Sequence, residues 1–181
     1  TYQEEVDIFP LPIADFVPDS ICHMDLTLFE NRSTVPNPGT LSAYRWDFLD
    51  GNFKTDANTR YLYQEPGMYE VELWVETQHG CLDSLTKAFP VYPNPRAYFT
   101  FQSACETDSL HFSNESYVID TLTGDYIDSW SWNFGDGTGV DNLTRPGHLF
   151  PQDGEFEVVL TLTSDKGCMG ETKRQVAVWP N

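Results

Sequence analysis

The most regular pattern in the chain is an alternation of apolar and polar residues with a period of two. One such stretch covers residues 69–76, where apolar residues alternate with glutamates and with Trp74. A second covers residues 156–162, and its apolar row is Phe156, Val158, Leu160 and Leu162. A period of two is typical of half-buried β-strands, whereas an amphipathic helix repeats its apolar residues every three or four positions. The pattern predicts an all-β chain.

Two aromatic stretches each end at an Asp-Gly pair. Their matching residues are Trp46, Phe48, Asp50 and Gly51 in the first stretch and Trp132, Phe134, Asp136 and Gly137 in the second. Asp-Gly after a strand-like row is a strong signal for a tight β-hairpin. Alternate positions of a strand share one face, so the tryptophan and phenylalanine of each stretch are expected together in a core.

These stretches belong to a repeat that covers most of the chain. Equivalent residues are separated by 83 positions near the start, from Ala14 to Ala97, and by 87 positions near the end, from Cys81 to Cys168. A repeat of this length can bury its own core. We therefore predict two tandem immunoglobulin-like β-sandwiches of about seven strands each, at residues 12–93 and 94–181.

The first residues repeat the end of these units. Residues 6–10 match residues 176–180, in that each segment has the form Val-x-apolar-aromatic-Pro. This predicts that residues 1–11 are the last strand of a preceding repeat, or a linker, and that the chain is part of a longer array. The proline-rich junctions favour stiff, extended connections.

Both repeats resemble the PKD (polycystic kidney disease) domain. The resemblance rests on Trp-x-Phe-Gly-Asp-Gly followed by Pro-Gly-x-Tyr-x-Val-x-Leu. The second repeat keeps the first element, whereas the first repeat has Leu49 in place of its first glycine. The first repeat keeps the downstream element, where the second repeat has Asp153 instead of proline.

The two cysteines in each repeat add to this resemblance. Such pairs are similar to those in PKD repeats of long surface adhesins from gliding bacteria that use type IX secretion. The resemblance implies extracellular, immunoglobulin-like modules that stand in arrays within cell-surface adhesins or beside the catalytic domains of secreted hydrolases. It does not imply an activity. It does not by itself define a ligand, because one fold carries many functions.

The composition narrows the range of partners. The chain has 10 Lys and Arg against 28 Asp and Glu, so its formal net charge is −18. Such a chain repels nucleic-acid phosphates and anionic lipid headgroups, which argues against nucleic-acid partners. It also contains no apolar run of the length that a transmembrane helix requires, so direct membrane insertion is not expected.

The four cysteines predict disulfides. Because each repeat is expected to be self-sufficient, the predicted pairs are Cys22 with Cys81 and Cys105 with Cys168. A zinc site is the alternative, but the CxxC spacing of such sites is absent and the histidines do not cluster with the cysteines. Disulfides would place the protein in an oxidising, extracytoplasmic compartment.

The sequence contains no recognisable catalytic motif, so a non-enzymatic chain without a cofactor is predicted. Calcium is a candidate ligand because loop carboxylates are abundant. However, no EF-hand-type loop is present, and no metal ligands can be assigned.

Three exposed-type aromatics are candidate contacts for a ligand. Trp74 lies on the polar row of its strand, while Tyr117 and Tyr126 lie in a segment that the first repeat lacks in this form. The alternative is that Trp74 packs under a neighbouring loop or domain. Candidate O-glycosylation positions, in Asp-Ser/Thr-apolar triplets, are Ser20, Ser84, Ser109 and Thr121.

Together these observations predict a non-catalytic spacer and adhesion module within a long repetitive surface protein. Its expected partners are a protein or glycan on a surface and neighbouring repeats of the same chain. The alternatives are an accessory binding module of a secreted hydrolase, and a component of a secretion or motility machine.

Overall fold

A computed structural model describes residues 7–19, 22–102, 104–105, 109–119 and 124–180, with only the backbone for residues 104 and 105. The chain divides into two compact units, Thr1–Val91 (unit 1) and Tyr92–Asn181 (unit 2). The described residues form β-strands and turns without a helix, which confirms the all-β prediction. Within this described part, accordingly, no helix has the length and hydrophobicity to span a bilayer.

Unit 1 has seven strands among its described residues. They are β1 (Phe16–Pro18), β2 (Leu26–Asn31), β3 (Leu41–Asp47), β4 (Phe53–Lys54), β5 (Thr59–Leu62), β6 (Gly67–Thr77) and β7 (Leu82–Val91). One sheet has the order β1-β2-β5 and the other has the order β4-β3-β6-β7. All neighbouring strands are antiparallel.

Unit 2 repeats this plan with eight strands among its described residues. They are β8 (Phe99–Phe101), β9 (Ala104–Cys105), β10 (Leu110–Asn114), β11 (Ile127–Asn133), β12 (Val140–Asp141), β13 (Gly147–His148), β14 (Gly154–Ser164) and β15 (Met169–Trp179). The sheets have the orders β13-β10-β8 and β12-β11-β14-β15-β9. The pair β15–β9 is parallel and the other neighbouring pairs are antiparallel.

The alternating rows of the sequence meet in one core per unit. Trp46 is fully buried in the core of unit 1, and Trp132 is fully buried in the core of unit 2. Both Asp-Gly pairs lie in hairpin loops, because β3 pairs with β4 and β11 pairs with β12 on either side of them. The predicted hairpins are therefore confirmed.

In each unit the chain enters at one end of the sandwich, here called the proximal end. In unit 1 the ring of Phe9 stacks on His79, with 3.6 Å between the ring centroids. His79 lies in the hairpin tip between β6 and β7. In unit 2 the Lys166 amine, in the equivalent tip between β14 and β15, lies 5.8 Å from the centroid of the Tyr92 ring. The incoming segment therefore packs against this tip in both units.

The chain leaves each unit at the opposite end, here called the distal end. The last strands, β7 and β15, start at the proximal tip and end at Val91 and Trp179. In unit 2 the short strand β9 runs parallel to the end of β15, with Cys105 opposite Trp179. The polypeptide therefore enters each unit at its proximal end and leaves it at its distal end.

Candidate functional site

The Asp-Gly hairpin is built around its tryptophan in both units. In unit 2 the Trp132 ring meets Phe99 edge-on at 5.1 Å, and its Nε1–H donates to the Leu143 carbonyl at 2.8 Å. In unit 1 the Trp46 Nε1–H donates to the Asp56 carbonyl at 2.9 Å. A buried indole needs a partner for its N–H, and here the loop after the hairpin supplies it. The tryptophan therefore ties that loop to the core.

The motif aspartate has a different side-chain partner in each unit. In unit 2 the Asp136 carboxylate lies 2.6 Å from Nε2 of His148, and the His148 ring stacks on Phe134 with 3.8 Å between centroids. In unit 1 Asp50 accepts a hydrogen bond from the Tyr61 hydroxyl, and the Tyr61 ring stacks on Phe48 at 3.9 Å. Tyr61 and His148 stand 87 positions apart, as Cys81 and Cys168 do. In both units, therefore, an aromatic ring stacks on the motif phenylalanine and hydrogen-bonds to the motif aspartate, and we call this arrangement the clamp. The ring belongs to a tyrosine in unit 1 and to a histidine in unit 2.

Both carboxyl groups are held in the charged form. Burial raises the pKa of Asp136, but hydrogen bonds from His148 and Thr138 outweigh it and hold the pKa below the usual 3.8. Burial likewise raises the pKa of Asp50, and the bonds from Tyr61 and Asn52 lower it below 3.8. On the other side of the unit 1 clamp, burial and then the bond to Asp50 raise the pKa of Tyr61. The two carboxylates are therefore held by hydrogen bonds within their own units, which indicates that they stabilise the fold.

We expect unit 2 to lose stability in acid through Asp136. Since the folded-state pKa is depressed, the contribution of this carboxylate is complete above the unfolded value of 3.8 and disappears as the pH falls below it. At pH 7, Asp136→Asn should destabilise unit 2 by about 1.5 to 3 kcal/mol, the range for a hydrogen bond to a charged group. Amide hydrogen exchange of β11 and β14 measures the stability of unit 2 in the original chain and in the Asp136→Asn variant. The difference in stability between the two proteins should shrink between pH 5 and pH 2.5, because protonation of Asp136 removes the advantage of the original chain. A difference that stays constant down to pH 2.5 would contradict the assignment.

The outer face of the larger sheet carries a groove in each unit. In unit 1 a groove of about 270 Å³ is lined by Ala43, Tyr44, Arg45, Trp74, Val75, Glu76 and Leu82. In unit 2 a groove of about 400 Å³ is lined by Asp128, Ser129, Trp130, Ser131, Asn142, Thr161 and Thr163. The central strands of these grooves are β3 and β6 in unit 1 and β11 and β14 in unit 2. The grooves thus occupy equivalent faces, but only the first one contains an outward tryptophan on its β6 or β14 strand.

The three candidate contact residues are all exposed, but they are not in one unit. Trp74 is 42% exposed and lies opposite Arg45 on the face of unit 1. In unit 2, Tyr117 pairs with Arg96 of the incoming segment. Tyr126 exchanges hydrogen bonds with Asp165 at the proximal tip. Of these three residues, Trp74 alone lies in one of the two grooves.

The predicted bond between Cys22 and Cys81 is wrong, because Cys81 is a free thiol. Cys81 precedes β7 at the proximal tip. Cys22 lies near the distal end. It stands two residues before Met24, whose N–H donates to the Tyr63 carbonyl, and Tyr63 packs on Phe89 near the end of β7. The 10 residues of β7 span about 30 Å. A disulfide requires a Cα separation of about 4.4 to 6.8 Å.

The predicted bond between Cys105 and Cys168 is excluded by the same geometry. The backbone of Cys105 pairs with Trp179, whereas Cys168 directly precedes Met169 at the other end of β15. Cys168 is fully buried, and both Cys168 and Cys22 are disulfide-bonded. The disulfide bonding of this protein therefore differs from the pairing predicted for each repeat. The presence of disulfide-bonded cysteines indicates an oxidising, extracytoplasmic compartment.

Two of the candidate glycosylation positions, Ser20 and Thr121, lie outside the described residues. Ser84 is half-buried in β7 opposite Trp74, and Ser109 is exposed just before β10. Glycosylation stays a prediction. Among the described His, Cys, Asp and Glu residues, no group of three or more is placed to hold a metal ion. Calcium binding likewise stays a prediction.

Two successive sandwiches of mainly antiparallel strands, each built on a buried tryptophan and an Asp-Gly hairpin, define a protein of tandem immunoglobulin-like repeats. The chain belongs to the PKD domain family, whose family model matches residues 10–91 and again residues 92–178. This confirms the predicted tandem PKD organisation.

Curated relatives of the chain include collagenases. The chain is 31% identical over 113 residues to collagenase ColA of Bacillus cereus, which covers 62% of the chain and 11% of the relative. It is 25% identical over 146 residues to microbial collagenase of Vibrio alginolyticus, covering 75% of the chain and 17% of the relative. The chain thus spans less than a fifth of either relative.

Two solved structures are also similar. The PKD1 domain of Vibrio anguillarum Epp is 26% identical, with a TM-score of 0.40, and the match covers 45% of this chain and 93% of that one. Three N-terminal domains of the bacteriophage RB49 outer capsid protein Hoc are 10% identical, with a TM-score of 0.51. That match covers 95% of this chain and 71% of the capsid chain. It reflects a shared fold alone.

Proposed function

We propose that the chain is a non-catalytic extracellular spacer that also offers a contact surface, as part of a larger surface-attached or secreted protein. The observation that supports this most directly is the path of the chain, which enters each unit at its proximal end and leaves at its distal end. A unit of this kind holds its two neighbours in the chain apart. The 11 residues of β15 correspond to about 36 Å of separation per unit.

The strand directions also suit a module that is placed under tension. In unit 2, β9 near the start of the unit runs parallel to the end of β15. Tension on the two ends of the unit pulls these strands along their own axes, so that their hydrogen bonds resist together instead of opening one at a time. A spacer within a surface adhesin, such as those of gliding bacteria, would experience this kind of load.

The charge and the disulfide bonding fit the same function. A net charge of −18 disfavours association between copies through mutual repulsion, which helps to keep the repeats soluble and separate. Disulfide-bonded Cys22 and Cys168 fit a protein that works outside the cytoplasm. Cell-surface attachment is part of the proposal.

Small-angle scattering can test the spacer. A fused chain is made in which residues 1–180 of one copy precede residues 11–181 of a second copy, so that the number of repeats doubles. For a spacer, the radius of gyration should increase about twofold over the original chain, in proportion to length. A compact arrangement would give an increase of only about 1.3-fold, since the radius of globular proteins scales with chain length to the power of about 0.38. An increase of only this compact size would overturn the proposal.

A second candidate is an accessory binding module of a secreted hydrolase, and the groove around Trp74 favours it. The groove is largely apolar, and Arg45 and Glu76 are the charged residues of its lining. Because the curated relatives are collagenases, the probe is fibrillar collagen. Trp74→Ala should lower the fraction of protein that sediments with the fibrils. Leu62→Ala is the control, since Leu62 is 41% exposed but lies on β5 in the other sheet. Equal sedimentation of the original chain and Trp74→Ala would argue against this function.

A further inference from the structure

Cys81 and Cys168 occupy the same loop but differ in their bonding. In unit 1 the Thr77 N–H donates to the Cys81 carbonyl at 2.9 Å, and the Cys81 N–H donates to Thr77 Oγ1 at 3.1 Å. In unit 2 Ser164 makes the same two bonds with Cys168, at 2.8 and 3.1 Å. Yet Cys168 is disulfide-bonded and Cys81 is a thiol. Unit 2 therefore shows that a cysteine at this place in the fold can form a disulfide.

The cysteine that would bond Cys81 must come from outside unit 1. The only other cysteine of unit 1, Cys22, lies about one strand length away and is itself disulfide-bonded. The thiol of Cys81 is half-buried in its loop. Its partner must therefore be delivered at the proximal end, where the incoming segment packs.

The incoming segment indicates where the cysteine that bonds Cys81 would come from. Residues 6–10 match residues 176–180 at the end of β15, so Phe9 is the counterpart of Trp179. In unit 2, Trp179 pairs with the backbone of Cys105, the first cysteine of its repeat. Phe9 stacks on His79, two residues before Cys81. The first cysteine of a preceding repeat, if it pairs with Phe9 as Cys105 pairs with Trp179, would arrive beside the Cys81 loop.

We propose that Cys81 is the attachment site for a preceding repeat of the same type, through a disulfide to the first cysteine of that repeat. Formation of the bond is an oxidation. The two thiols lose two protons and two electrons to a disulfide donor, which is itself reduced to two thiols, by thiol–disulfide exchange. Such a bond would join each repeat to the one before it, in addition to the polypeptide linker. It goes beyond the spacer function, which requires no covalent bond between repeats.

The fused chain of four repeats provides the test, because its second copy of Cys81 comes after a complete repeat. After oxidation with a glutathione redox buffer, the protein is alkylated with iodoacetamide without reduction and its peptides are mapped. We expect the Cys81 of the second copy to be linked to the Cys105 of the first copy. Its alkylation should fall at least about tenfold below that of the first copy's Cys81, which remains a thiol.

Matched variants make the result decisive. A Cys105→Ser change in the first copy alone should restore alkylation of the second copy's Cys81. The same change in the second copy should leave that Cys81 protected. The proposal is overturned if both copies of Cys81 are alkylated equally, if Cys81 is found joined to Cys22, or if it is found joined to another Cys81. Scattering from the Cys105→Ser variant tests the spacer independently, because a radius of gyration that still doubles would preserve the spacer while the disulfide is absent.

Discussion

Trp132→Ala is expected to unfold unit 2 at a much lower temperature while the β-strands of unit 1 remain protected. The indole is fully buried, packs on Phe99 and Phe112, and holds the Leu143 carbonyl through Nε1. Truncating a buried tryptophan to alanine costs about 3 to 5 kcal/mol. For a domain of this size, that corresponds to a decrease in the midpoint temperature of unit 2 of roughly 12 to 40 °C.

Calorimetry combined with amide hydrogen exchange checks this expectation. Exchange of β11 and β14 should accelerate, while exchange of β3 and β6 should stay unchanged because unit 1 has its own core. Trp74→Ala is the matched control, since Trp74 is 42% exposed and outside the core. It should cost at most about 0.5 kcal/mol, as surface substitutions do. Equal effects of the two substitutions would contradict the assigned burial.

Gly135→Ala is expected to destabilise unit 2 far more than Gly137→Ala, although both glycines lie in the same hairpin loop. Both have positive φ angles, 76° and 82°, so each alanine faces a conformational cost of about 1 to 2 kcal/mol. A β-carbon on Gly135 would also stand 2.5 Å from the Glu157 carbonyl oxygen, whereas one on Gly137 meets no atom within 4 Å. The backbone contact adds about 1 to 3 kcal/mol of strain at Gly135 alone.

Urea denaturation of the two variants separates the cost of the positive φ angle, which both share, from the cost of the contact with Glu157. The free energy of unfolding should fall by about 1 to 2 kcal/mol for Gly137→Ala and by about 2 to 5 kcal/mol for Gly135→Ala. Leu49 is the natural counterpart of Gly135 in unit 1. It adopts a φ of 57° and is 54% exposed, so unit 1 accommodates a side chain at this position. If Gly135→Ala and Gly137→Ala were equally stable, the close approach to Glu157 would have no energetic effect.

The larger features of the fold could be predicted because they depend on local patterns. Alternation along β6 and β14 places their apolar rows on one face of each strand, and Asp-Gly ends the strands that carry Trp46 and Trp132. These signals arise from the period of a β-strand and from turn geometry. They predict the sandwiches without knowledge of the partner strands.

The cysteine bonding could not be predicted in the same way. The repeat shows which cysteines are equivalent, but not the end of the sandwich at which each one lies. That depends on the pairing of β9 with the far end of β15 and on the position of Cys168 at the opposite tip. Sequence reasoning also missed Tyr61 and His148 as partners of the motif aspartates, although their equal spacing in the repeat is a signal that an internal alignment could have used.

The packing of the incoming segment has a consequence for how such arrays can be cut and recombined. Residues 92–95 lie against the hairpin tip of their own unit: Tyr92 lies near the Lys166 amine, and the backbone of Gly170 approaches the Pro95 carbonyl so closely that no β-carbon would fit. A gene segment exchanged between arrays would therefore have to begin just after Val91 to carry an intact repeat. A breakpoint two or three codons later would replace part of residues 92–95, and the new repeat would lose residues that pack on its own hairpin tip.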